Sequence, residues 1–158
     1  MGMVPDRVDR QRTLASLRRA ARRSGGDDLC ELDRRAFLWL YGSTMVEAWV
    51  DGDGSVALRA WLVLAPERAR ALGALHQLDA RPAVGRLVLD EEGDISLEHR
   101  IPADCTEERM TREVDALCRE ADRLDDLLCR EAGGSRSLDR FQAEVEAALG
   151  MNGSTLLN

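Results

Sequence analysis

Between residues 36 and 64, two tight-turn signals separate three runs rich in alternating β-branched and aromatic residues. That arrangement leaves the chain little choice of fold. Ala36 to Gly42 (AFLWLYG), Thr44 to Val50 (TMVEAWV) and Ser55 to Leu64 (SVALRAWLVL) read as strands. Gly42-Ser43 makes the first turn. Asp51-Gly52-Asp53-Gly54 makes the second, because Asp-Gly steps tolerate the positive φ that twisted hairpins require. Connections this short join antiparallel neighbours, so residues 36–64 are expected to form a three-stranded meander.

Helical periodicity brackets it. Leu14, Leu17 and Ala21 define a helix over 6–24, stopped by Gly25-Gly26. Ala69, Leu72, Leu75 and Leu78 define a second over 66–80, with Pro66 in its first turn and Pro82 beyond its end. Residues 86–101 read as a hairpin around Glu91-Glu92-Gly93. Ile95, Leu97, His99 and Ile101 share one face of it, while Asp94, Ser96, Glu98 and Arg100 form a wet one. Thr106 caps a helix over 106–131 whose stripe is Met110, Val114, Leu117, Cys118, Ala121, Leu124 and Leu128. A last helix spans 137–149, and 151–158 reads as a flexible tail. Residues 1–150 thus read as one α+β domain of order α-βββ-α-ββ-α, with one five-stranded antiparallel sheet packed by helices and a further C-terminal helix.

Composition removes several functions. The net charge of −7 disfavours a nucleic-acid partner, since phosphate neutralisation supplies most of such affinity. All 22 basic residues are Arg, so no lysine Schiff base or P-loop lysine exists. The basic residues crowd into the first helix, where seven Arg face only Asp6 and Asp9. Such a helix is expected to lie on an acidic surface of its own domain or of a partner subunit. The longest apolar stretch, Trp61 to Pro66, is far below the ~20 residues a membrane helix needs, and no apolar leader follows Met1. A cytoplasmic protein with no stable membrane insertion is the expectation.

Catalytic signatures are equally sparse. Cys30, Cys105, Cys118 and Cys129 have neither zinc nor disulfide-framework spacing and read as reduced structural thiols. His76 and His99 are the only histidines and stand in no nucleophile or metal pattern. Asp51-Gly52-Asp53-Gly54-Ser55 begins like a calcium loop, but position 62, where a bidentate Glu is required, is Leu. Glu91, Glu92 and Asp94 make a solvated acidic turn. No catalytic residue, metal site or cofactor is assigned.

The aromatic residues are concentrated. Phe37, Trp39, Tyr41, Trp49 and Trp61 all fall in the meander, with Phe141 alone outside. Both faces of the meander read as apolar, and one of them must carry the 106–131 helix. The aromatic face then needs a cover: the chain's own helices, a second subunit, or a bound peptide. The candidate partner-binding residues are Phe37, Trp39, Tyr41, Trp49 and Trp61, with Arg59 placed to orient a client carboxylate. The alternative is a homodimer without a client, whose interface includes Leu72, Leu75 and Leu78.

The element order resembles the type III secretion effector chaperones of the CesT kind. The stretch from Leu75, LHQLDARPAVGRLVLDEEGDISLEHRIPADCTEERM, is more similar to the YbjN family. The resemblance spans residues 8 to 131. It implies a small, often dimeric cytoplasmic protein without enzymatic activity, which holds client segments along apolar sheet and helix surfaces.

Overall fold

In the computed structural model, which describes residues 7–26, 29–77 and 82–153, the turn at 51–54 closes as its residues require. Gly54 takes φ 81°, and its N–H donates to the Asp51 carbonyl at 3.0 Å. Asp53 Oδ1 accepts from the Ser55 N–H and hydroxyl at 2.9 and 2.6 Å. The strands on either side, β3 (Thr44–Val50) and β4 (Val56–Val63), pair antiparallel, as does β2 (Ala36–Tyr41) with β3.

The sheet has six strands, one more than the pattern suggests. The addition is β1 (Cys30–Asp33), on the outer edge of β2. All four of its residues are exposed, and its Cys-Glu-Leu-Asp alternation is too short to mark a strand by itself. With β5 (Arg86–Leu89) and β6 (Ile95–Ile101), the sheet order is β1-β2-β3-β4-β6-β5, antiparallel throughout.

Helices α1 (Arg7–Gly25) and α3 (Glu107–Ala132) pack on one face. Thr106 caps α3 by accepting the Arg109 N–H, and Gly133, at φ 75°, ends it with an N–H to the Cys129 carbonyl. Every residue of the α3 stripe is at most 1% exposed. Each large member contributes roughly 1.5–3 kcal/mol of burial, and truncating Leu117 to Ala would cost about 2–5 kcal/mol. The basic α1 lies on its own domain's acidic groups, as anticipated: Arg18 pairs with Glu31 at 2.8 Å and Arg19 with Glu107 at 2.7 Å.

Helix α2 (Arg68–Gln77) packs on α3, but its stripe is rotated from the expected one. Ala71 and Ala74 are buried and Leu75 partly so, while Leu72 is 51% exposed. The two alanines let α2 approach α3 closely, which turns Leu72 outward. Leu78 lies outside the described residues. Arg70 of α2 donates to the Glu131 and Arg130 carbonyls, satisfying the C-terminus of α3 with a cation. Helix α4 (Ser137–Gly153) is longer than 137–149, so 151–153 are helical and not part of a tail; residues 154–158 lie outside the described residues. It starts beside the sheet, where Ser137 Oγ donates to the Trp61 carbonyl at 2.9 Å and the Leu138 N–H to the Ser43 carbonyl at 3.2 Å. Phe141, one turn on, is 49% exposed.

Candidate functional site

Side-chain parity and strand register divide the aromatic residues between two faces. The β2–β3 turn pairs Tyr41 with Thr44, Trp39 with Val46 and Phe37 with Ala48, all on the face beneath α1 and α3. Phe37 and Trp39 are 0% and 1% exposed. Both belong to the core, and neither presents a surface to a partner. Tyr41 packs partly buried against the same core. Trp49 and Trp61 point the other way.

On that opposite face the register builds three rows across the strands. Ala36, Trp49, Ala57 and Arg100 form the first; Leu38, Glu47, Arg59, Glu98 and Arg86 the second; Leu40, Met45, Trp61, Ser96 and Val88 the third. Arg59 sits diagonally between the two indoles. Its guanidinium carbon is 5.5 Å from the Trp49 ring centre and 5.2 Å from that of Trp61, within cation–π range of both. Glu98 fixes it from the next strand, accepting from Nε at 3.1 Å and lying 3.0 Å from a terminal nitrogen. The Trp49 indole N–H donates to Asp51 Oδ1 at 2.9 Å, and Arg100 binds Asp51 Oδ2 at 2.6 Å. Both indoles are half-buried, so each keeps part of its ring on the surface. Beside them, between Arg59 and Arg100, the strands leave an open depression of about 570 Å³ that reaches Gly85 and Arg86. Ser96, expected to be wet, is 1% exposed beside Trp61, its cross-strand partner.

This face can hold an extended chain. It offers apolar area from Leu38, Leu40, Met45 and the indoles, with charges held in place between them. Arg59 is stacked and paired, and Glu98 also receives Arg86 at 3.7 Å. Among the described residues Glu47, opposite Arg59, has no hydrogen-bond or ion-pair partner. Glu47, Glu98, Arg86 and the Leu38–Leu40–Met45 strip were not candidates from sequence. Counting across the two turns is the signal that places them beside the indoles.

The remaining polar groups read as structural. Asp125, 1% exposed, accepts from the Ser43 and Thr44 hydroxyls, and burial pushes its carboxyl up from the ordinary value. His99 Nε2 lies 2.6 Å from Glu113 Oε2, joining β6 to α3, while His76 is exposed on α2. The four cysteines are free thiols. Burial raises those of Cys105 and Cys129 and pushes Cys118 up to about 11, which keeps it protonated near neutral pH. Asp90, Glu92 and Asp94 gather in the β5–β6 turn with ligand atoms within 4.8 Å of one another. Asp94 is also occupied in holding the Ala65 N–H at 2.7 Å. No helix among the described residues is long and apolar enough to cross a membrane.

Comparison with known proteins agrees with this layout. A family model described as "T3SS (YopN, CesT) and YbjN peptide-binding chaperone 1" matches residues 39–140. A chain of the solved structure described as "Structure of the HopA1-SchA Chaperone-Effector Complex" superposes with a TM-score of 0.52 at 20% identity, covering 77% of this chain and 98% of that one. That likeness establishes the fold. Among curated proteins, none matches.

Proposed function

The chain belongs to the T3SS and YbjN peptide-binding chaperone family, and on that premise we propose that it holds an extended client segment across the sheet face bearing Trp49, Arg59 and Trp61. The supporting observation is the division of the sheet. The helices bury most of one face, Phe37 and Trp39 included, while the other keeps two indoles partly exposed around a fixed guanidinium. An apolar surface of this kind is a recognition surface more often than a neutral one. In this reading alternate client side chains lie on the indoles and on the Leu38–Met45 strip, and polar ones between them meet Glu47, Glu98 and Arg86. The chain acts by binding, without a catalytic step.

Covering the open part of one indole contributes about 1 kcal/mol or more, so losing two weakens binding by roughly tenfold to a hundredfold. Short peptides selected on the wild-type protein from a displayed library are the probe. Their affinity should fall by that factor in a Trp49→Ala, Trp61→Ala double variant whose circular dichroism is unchanged. Undiminished binding by the folded double variant would move the client elsewhere.

A second reading, a homodimer joined through α2, is favoured by one observation. Leu72 is 51% exposed on a helix whose opposite side is packed on α3. The two readings use different surfaces and are compatible.

A further inference from the structure

One corner of this acidic molecule gathers three arginines. The β1–β2 turn carries Arg34 and Arg35, both exposed, up to Arg10 of α1. Together with Leu14, Val50 and Asp51 they line an open depression of about 470 Å³. The turn is held there by the Val50 N–H, which donates to the Arg35 carbonyl at 3.1 Å, and by Asp33 Oδ1, which accepts the Arg35 N–H at 2.6 Å. Asp51, the one carboxylate among the described residues that line the depression, is already engaged by the Trp49 indole and Arg100. Among the described residues, neither Arg34 nor Arg35 forms an ion pair. The depression wraps the end of β3, from Leu14 and Val50 on the helix side to Asp51 on the open side. Arg35 directly precedes Ala36, the cross-strand partner of Trp49.

We propose that this corner docks an acidic stretch of the client, two or more Asp or Glu residues that continue from the apolar stretch held by Trp49 and Trp61. The inference rests on the reading of the open face as the client surface. A segment crossing from Trp61 over Trp49 leaves the sheet at Asp51 and meets Arg34 and Arg35 next. Charge complementarity selects acidic side chains, and the apolar floor of Leu14 and Val50 accepts their methylenes. A short acidic block fits better than a long polyanion, because the chain as a whole carries 29 acidic against 22 basic residues and repels one beyond this corner. Charges at the rim of an interface act mainly on association rate and salt dependence, which defines the test.

Two synthetic peptides share an apolar alternating half and differ at the other end, Glu-Asp-Glu in one and Gln-Asn-Gln in the other. Each is made in both orders of the halves. Fluorescence anisotropy with the full chain should give about fivefold tighter binding of the acidic peptide at low salt. That preference should shrink at physiological salt and disappear in an Arg34→Glu, Arg35→Glu variant, which should bind the uncharged peptide as wild type does. Equal affinity of the two peptides for the wild type would overturn the proposal, as would a preference that survives charge reversal. An oligothymidine that competes at this corner better than the acidic peptide would overturn it in favour of nucleic acid. Trp49→Ala separates the two readings: it should weaken both peptides alike, and if it does not, the open-face reading fails while the acidic preference still reports on the corner. Should neither peptide bind, arginine Nε–Hε spectra with the tripeptide Glu-Asp-Glu decide alone. Shifts at Arg34 and Arg35 support the corner, and their absence overturns it.

Discussion

Trp39 and Trp49 are ten residues apart in a single hairpin, and their replacement by Ala should have very different costs. Trp39 is 1% exposed, in the core cluster with Phe37, Val46 and Cys118. Helix α1 rests directly on it, with so little room that a Cβ at Gly25 would fall 2.6 Å from the Trp39 Cβ. Trp39→Ala therefore leaves a cavity that the helix cannot close, at roughly 3–5 kcal/mol. That is a large fraction of the 5–15 kcal/mol typical of a whole domain, roughly speaking. Trp49 loses less. Its cation–π contact with Arg59 accounts for about 0.5–1 kcal/mol, and its hydrogen bond to Asp51 for about 1 kcal/mol. With the ring's covered side adding about 1 kcal/mol or more and its open side nothing, Trp49→Ala should cost about 2–3 kcal/mol. Urea unfolding followed by far-ultraviolet circular dichroism measures both, and Trp39→Ala should cost more by about 1 kcal/mol or more. Equal costs would mean that the second face is as much a core as the first, and the client surface described above would be lost with it.

Two further outcomes follow from single residues. Burial alone would raise the Glu113 carboxyl, but hydrogen bonds from His99 and Arg109 outweigh it and hold it below the ordinary 4.5. Its contribution is complete above that value and is lost as pH falls through the lower folded-state pKa. Glu113→Gln should accordingly flatten the acid limb of stability below about pH 4.5 in urea titrations, and an unchanged limb would assign acid sensitivity to other carboxylates. Leu72→Arg, on the outward side of α2, should leave stability within about 0.5 kcal/mol; a halved mass by light scattering would identify α2 as a dimer interface, and an unaltered mass would remove it.

The parts of the fold legible in the sequence are those where one period dominates. Met110, Val114, Leu117, Cys118, Ala121, Leu124 and Leu128 can only form one helical stripe, and the Asp51–Gly54 turn can only fold the chain back. Cys30–Asp33 is hard to read because four exposed residues give too short an alternation, and backbone bonds to β2 hold the strand. Helix α2 misleads because two alanines, weak as hydrophobic signals, win the buried positions over Leu72 by their small size. The aromatic residues gave the site only in part. Concentration in the meander singles out Trp49, Arg59 and Trp61, yet the same signal gathers Phe37 and Trp39, which face the opposite way. Hydrophobicity cannot tell a ring under the helices from a ring on the open face. Register can, because a two-residue turn at Gly42-Ser43 pairs 41 with 44 and thereby fixes the side of every residue in both strands.

A sheet that helices roof on one side among the described residues also sets what natural variation can do to such a chain. Substitutions at 37, 39, 46 or 58 are filtered by the need to fold at all. Those at 38, 45, 49 and 61 weigh less on folding and, in the client-binding reading proposed above, answer more to the ligand. On that reading, lineages sharing this scaffold are free to exchange cargo by rewriting a handful of alternate positions, one strand surface at a time.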